Sequence, residues 1–172
     1  MKKLLIIVDY QNDFVNGVLG SKQAMKIKTP IYKEIQKYVK NKDQIIFLQD
    51  THDKKYLQSI EGKNLPIEHT IKGSKGWQIC EPLNEYVTKS NCFSKPTFGS
   101  LKLVNYLTKH KFESIQMCGL LTNMCVMVNT IIAQACQPNT KIFINKKLVA
   151  SNDKSLEEAA FKILKNLFIN II

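Results

Sequence analysis

"LLIIVDYQNDF" (residues 4–14) decides the architecture. Its first five residues, Leu4 to Val8, form an unbroken apolar run rich in β-branched side chains. A strand with one wet face alternates apolar and polar residues. A continuous run instead suits a strand covered on both faces, as in a parallel sheet between layers of helices. The polar "DYQND" that follows marks the strand's end.

The same grammar recurs outward from this stretch. "QIIFLQ" (44–49), "NCFSK" (91–95), "SIQMCG" (114–119), "KIFIN" (141–145) and "FINII" (168–172) read as further strands. Between them, Thr29-Pro30 reads as the cap and first residue of a helix carrying Ile31, Ile35, Tyr38 and Val39 on one stripe. "SLKLVNYLTKH" (100–110), "TNMCVMVNTIIAQAC" (122–136) and "DKSLEEAAFKILKN" (153–166) read as helices. Residues 50–76 are polar, contain Gly62, Pro66, Gly73 and Gly76, and show no period, which predicts a long functional loop. Alternating strands and helices predict an α/β protein. The expected form is a three-layer sandwich with a mostly parallel, Rossmann-like sheet flanked by helices. Residues 1–172 are expected to make a single domain.

The bulk composition narrows the function classes. The formal charge is +11, and every one of the 25 basic residues is lysine. Bidentate contacts to bases and phosphates come chiefly from arginine, and the lysines are scattered, so no nucleic-acid partner is expected. No apolar run approaches the roughly 20 residues of a membrane span. The start is basic then apolar, yet the run ends at Val8, short of the roughly 7–15 residues of a secretory core. A cytoplasmic chain with no membrane partner is the expectation. Of five cysteines, Cys80, Cys92, Cys118 and Cys136 show no paired metal spacing and read as small buried hydrophobes.

Ligands of parallel α/β sheets bind beyond the carboxyl ends of the strands. Asp9, Asp50, Lys95 and Cys125 each lie at or just past such an end. Cys125 falls in the first turn expected after the fourth long strand. Unpaired N–H groups there favour a thiolate and could hold an oxyanion. Asp9 directly follows a buried strand, where a carboxylate is costly unless paired or functional. Pro96 fixes the backbone after Lys95 and could aim its amine inward. Together the three make a chemical set: an acid to move protons, an ammonium to stabilise negative charge, and a thiol to form a covalent acyl-enzyme. Asp13, in the same "DYQND", reads as a turn or helix-start residue.

Three blocks, "LLIIVDYQNDF", "KPTFGSL" and "GLLTNMCVMVNT", resemble the isochorismatase-like cysteine hydrolases, and within them the nicotinamidases. The resemblance implies an Asp9-Lys95-Cys125 triad. It also implies a cis peptide before Leu121 and an oxyanion hole from the N–H groups of Leu121 and Cys125. Many family members carry aspartate where this chain has Asn123, an amide that can still cap a helix.

"QDTHD" sets Asp50 and His52 on one face if the strand continues, and His69 follows in "EGKNLPIEHTIKG". An aspartate with two histidines suits a divalent cation such as Zn²⁺. The resemblance strengthens that site and adds Glu61 as a further ligand. It implies that the metal holds the ring nitrogen of a pyridine carboxamide. Phe14 and Trp77 are candidates for a wall stacked on that ring. The partner expected is therefore a small-molecule amide, and the family suggests a homo-oligomer. Rival readings are a metal-independent amide or ureide hydrolase, and a non-catalytic binding member with an inert Cys125.

Overall fold

The computed structural model describes all 172 residues. Its strands are β1 (Leu4–Val8), β2 (Gln44–Asp50), β3 (Cys92–Lys95), β4 (Ser114–Leu120), β5 (Lys141–Ala150) and β6 (Asn170–Ile171). Its α-helices are α1 (Asn12–Val15), α2 (Lys22–Lys26), α3 (Lys28–Lys40), α4 (Ile60–Asn64), α5 (Leu101–Lys109), α6 (Met127–Cys136) and α7 (Lys154–Asn166). One six-stranded sheet runs in the order β3-β2-β1-β4-β5-β6. Every pairing is parallel, so the expected "mostly parallel" sheet is wholly so.

All five residues of β1 are fully buried, and the two-unit period of the strand sorts them between two cores. Leu4, Ile6 and Val8 join Leu103 and Leu107 of α5, Ala133 of α6, and Phe161 and Leu164 of α7. Leu5 and Ile7 point the other way, to Ala24 of α2 and Ile31, Ile35 and Tyr38 of α3. That division is the three-layer sandwich. The chain leaves β1 toward β2 and β3, then returns to β4 on β1's other side. The sheet therefore has its topological switch point between β1 and β4, where a crevice opens beyond the strand ends.

Several boundaries differ from the expectation. The helix expected to start at Thr29-Pro30 begins at Lys28 and is preceded by α2, whose N-cap Ser21 accepts from the Ala24 N–H. β5 runs on to Ala150, and a register shift between Met117 and Gly119 accommodates it against β4. Residues 50–76 hold a 3₁₀ turn (Tyr56–Gln58) and α4, each too short to show a period in sequence. The apolar stretch after β4 is not one helix. Residues Thr122–Val126 form a π-type turn with non-helical Met124, and only then does α6 begin. No helix is long and apolar enough to cross a membrane.

Candidate active site and metal centre

Three strand ends deliver Asp9, Asp50 and Lys95 to one point. β1 and β2 are paired in register through Val8 and Leu48. Asp9 then turns into a left-handed conformation, φ 48°, while its N–H donates to the Leu48 carbonyl. β2 and β3 pair Asp50 with Lys95. The Lys95 Nζ is enclosed, 2.7 Å from Asp9 Oδ2 and 3.1 Å from Asp50 Oδ1, and donates to the Thr97 carbonyl at 3.0 Å. Its fourth neighbour is Cys125 Sγ at 3.5 Å. The acid, the amine and the thiol predicted from sequence thus meet in a buried cluster, with Asp50 as a second carboxylate on the same ammonium.

The electrostatics follow from burial and pairing. Burial pushes Asp9 up to about 6, against the pull of Lys95. Asp50 is also buried, but the close approach of His52 and the Lys95 charge outweigh that and hold it down at about 2. Burial disfavours the Lys95 ammonium, yet the charges of Asp9, Cys125 and Asp50 raise its pKa. The Cys125 thiol is pushed well above its ordinary value, first by burial and then by the Asp9 charge, with Lys95 opposing. This corrects the expectation of a thiolate favoured at a helix start. Cys125 does sit at a helix start, between non-helical Met124 and α6, but burial and the nearby carboxylate work against ionisation.

The peptide between Leu120 and Leu121 is cis. The Leu121 N–H donates to no protein acceptor, whereas its carbonyl accepts from the Met124 and Val126 N–H groups. Asn123 does not cap the turn; its Oδ1 accepts from the Ser151 hydroxyl at 2.6 Å. That bond fastens the cysteine loop to the end of β5.

The second group of predicted residues assembles beside the first. After β2 the chain forms a parallel bridge, His52 to Ile71, so the segment carrying His69 returns alongside His52. Ligand atoms of Asp50, His52 and His69 lie within 4.8 Å of one another. Asp50 Oδ2 is 3.0 Å from His52 Nε2 and 3.7 Å from His69 Nε2. Glu61 Oε1 is 3.7 Å from His52 Nε2 and 3.8 Å from His69 Nε2. Zinc–ligand bonds of about 2.0–2.1 Å in a tetrahedron set ligand atoms roughly 3.4 Å apart, so this set fits a divalent ion. Two further features agree. The buried His52 Nε2 has no aligned hydrogen-bond partner. His69 Nδ1 lies 2.8 Å from the Ile67 carbonyl, which can only accept, so Nε2 keeps its lone pair for a ligand role.

A cavity of about 220 Å³ joins the two groups, with Asp9, Cys125, Asp50, Glu61 and His69 on its wall. Its apolar side includes Phe14, Phe98, Leu121 and Met124. Phe14 packs edge-on to His69 with centroids 5.4 Å apart. Trp77 is not on this wall, contrary to expectation. Its indole N–H donates to Thr51 Oγ1 at 2.9 Å, and its carbonyl accepts from Gln11 and Gln49, so it braces the end of β2. Phe98 supplies a second aromatic ring instead. Its position was available from the strand-end rule, three residues after Lys95. Tyr56, which packs against both metal-site histidines at 4.6 and 4.8 Å, carried no sequence signal because its turn is too short.

An α/β sandwich with a cysteine, a lysine and an aspartate at its switch point, and an Asp-His-His cluster alongside, defines a class of hydrolase fold. The chain belongs to the isochorismatase domain family, which matches residues 3–172. Over 165 residues it is 27% identical to an uncharacterised isochorismatase family protein PncA of Bacillus subtilis (strain 168), covering 88% of this chain and 87% of that protein. The pyrazinamidase/nicotinamidase of Streptococcus mutans UA159 superposes with a TM-score of 0.86 at 27% identity, over 99% of this chain and 100% of that one. The pyrazinamidase of Pyrococcus horikoshii in complex with zinc shares the fold, with a TM-score of 0.85 at 19% identity over 100% of this chain and 99% of that one.

Proposed function

We propose that this isochorismatase-family hydrolase is a cysteine amidase that converts a small ring carboxamide, foremost nicotinamide, to its acid and ammonia. The observation that carries the reading is the contact of the enclosed Lys95 Nζ with both Asp9 Oδ2 and Cys125 Sγ, at 2.7 and 3.5 Å, the acid and the thiol themselves lining the cavity. The similarity to nicotinamidases and pyrazinamidases supports the substrate class. A cavity of about 220 Å³ also suits a single-ring molecule, since drug-sized ligands need about 300–1,000 Å³.

In this reading Asp9, raised to about 6, is ionised at neutral pH yet basic enough to take the thiol proton. The Cys125 sulfur attacks the carboxamide carbon, and the carbonyl oxygen becomes an oxyanion. The N–H groups of Leu121 and Cys125 face that oxyanion, and Lys95 balances the added negative charge. Asp9 returns its proton to the leaving nitrogen, the C–N bond breaks, and ammonia departs. A water molecule then gives a proton to Asp9 as its oxygen attacks the thioester carbon. The C–S bond breaks, the acid is released and the thiol is restored. Asp50, His52, His69 and Glu61 would hold a divalent metal, best suited to Zn²⁺, which when bound fixes the ring nitrogen of the substrate. Phe14 and Phe98 flank the ring and exclude water.

The test is ammonia release from a panel of nicotinamide, pyrazinamide, benzamide and a ureide, with zinc supplied. Nicotinamide should be among the best substrates. Turnover of the ureide alone would replace the substrate assignment, and turnover of none would favour a binding protein.

A further inference from the structure

Thr70 directly follows one predicted metal ligand, His69, yet its own side chain faces another, Asp50. It is fully buried and sits in the left-handed region, φ 45°. That conformation disfavours β-branched residues, which suggests that something specific holds a threonine there. Two hydrogen bonds do so. The Thr70 hydroxyl donates to Asp50 Oδ2 at 2.9 Å, and its N–H donates to Asp13 Oδ2 at 2.7 Å. Asp13 is itself anchored: its N–H donates to the Gly76 carbonyl. A Cβ on Gly76 would fall 2.1 Å from both Asp13 carboxylate oxygens, so the loop needs a glycine for this approach.

The Asp50 carboxylate has two jobs on two oxygens. Oδ1 accepts from Lys95 at 3.1 Å. Oδ2 faces His52 and His69. Rotation about the carboxyl bond would confuse the two. The Thr70 hydroxyl occupies one lone pair of Oδ2 and leaves the other directed at the histidines. The same residue's N–H ties the backbone next to His69 to α1.

We propose that Thr70 is a positioning residue: its hydroxyl fixes the Asp50 carboxylate so that one oxygen serves Lys95 and the other serves the metal, while Asp13 holds Thr70, and with it His69, in place. The inference rests on the metal set of the proposed function but not on the identity of the substrate. Partners of metal ligands of this kind typically tune affinity by about 10–100-fold.

The test is titration of the full chain with Co²⁺, followed by visible absorption and by competition with a chromophoric chelator. Thr70→Val keeps the shape and β-branching but lacks the hydroxyl. It should bind Co²⁺ about 10–100-fold more weakly and with an altered spectrum. Thr70→Ser restores the hydroxyl and should return affinity to within about threefold of the parent. Asp13→Asn keeps an acceptor oxygen and should weaken binding less than Thr70→Val does. Thermal melting of each variant separates a folding failure from a binding one. Equal Co²⁺ affinity and spectrum in the parent and Thr70→Val would overturn the proposal. If the parent binds no Co²⁺, the metal reading itself falls and takes this inference with it. Ammonia release tests the amidase reading separately.

Discussion

Asp50 and Lys95 form a buried ion pair, Oδ1 to Nζ at 3.1 Å, at neighbouring positions on paired strands. The pair is the hinge between two chemistries. Through Lys95 it reaches Asp9 and Cys125, and through the other carboxylate oxygen it reaches the metal-site histidines. A buried ammonium held by two carboxylates is stable only as a set, because removing one member strands charge in a dry site.

Replacing Lys95 should therefore harm stability and activity together. In Lys95→Ala, Asp9 and Asp50 lose their shared counter-ion. The expected loss is about 3–5 kcal/mol of unfolding free energy, read from urea denaturation. Ammonia release should fall by about 100–1,000-fold or more, the lower bound being the loss seen when one oxyanion-stabilising donor is removed. A variant that unfolds like the parent would show that Lys95 is not the counter-ion the distances imply.

Cys125 lies in the same cluster but adds little to stability, since its removal leaves no unpaired charge. Cys125→Ala should fold with an unchanged midpoint and release no ammonia. Full turnover in that variant would refute the covalent mechanism.

The resting state of the Cys125 thiol can be tested by alkylation. Burial and the Asp9 charge raise its pKa, so at neutral pH the thiol is protonated. Reactivity follows the thiolate, so labelling of chelator-treated protein at this position should accelerate about tenfold per pH unit as pH rises. A rate already on a plateau at neutral pH would mean a preformed thiolate. Cys118 is enclosed, with its thiol also raised by burial, and should stay unlabelled in the native protein.

These outcomes bear on what the sequence could reveal. β1 was legible because both its faces are buried, which leaves an apolar run with no alternation. The positions of Asp9, Asp50, Lys95 and Cys125 followed from strand ends, their expected roles from the chemistry of an acid, an amine and a thiol and of an aspartate with two histidines, and the resemblance strengthened both. The thiol's electrostatics were not legible. They depend on burial and on a carboxylate brought from more than a hundred residues away, which no local pattern encodes. Trp77 and Phe98 were indistinguishable in kind, since both are aromatic residues in loops near the site. The hydrogen bonds that hold Trp77 to Thr51, Gln11 and Gln49, away from the cavity that Phe98 lines, separate them. Thr70 was silent because its role lies in a backbone conformation that threonine rarely adopts.

Metal removal should act through the same four side chains. His52→Ala and His69→Ala each delete a nitrogen ligand and should abolish stoichiometric Zn²⁺ uptake measured by mass spectrometry of the dialysed protein. Glu61→Gln should weaken uptake less, because Glu61 remains partly exposed and can be replaced by water. Zinc at about 100 times its dissociation constant should stabilise the parent by about 2.7 kcal/mol, seen as a raised melting temperature. His52→Ala should show no such shift. A shift that survives in that variant would place the ion elsewhere.

The crevice itself depends on how closely β4 passes β1. Gly119 sits at φ 109°, beside the register shift in β4, and a Cβ there would lie 2.0 Å from the Val8 carbonyl oxygen. The atom in the way is backbone of the fully buried central strand, so no side chain can swing aside. Asp9 follows Val8 directly, and Leu121 lies two residues beyond Gly119. Gly119→Ala must therefore push β1 and β4 apart at the point that aims both the proposed proton acceptor, Asp9, and the proposed oxyanion donor, Leu121. The conformation alone should cost about 1–3 kcal/mol, and the clash adds to it. We expect a lowered urea midpoint together with a fall in kcat larger than the change in KM. The residues proposed to hold the metal stand on the other side of β1, so Zn²⁺ affinity of the folded fraction should hold. Parent-like stability and turnover in Gly119→Ala would mean that the strands tolerate separation and that the site is not set by their close approach.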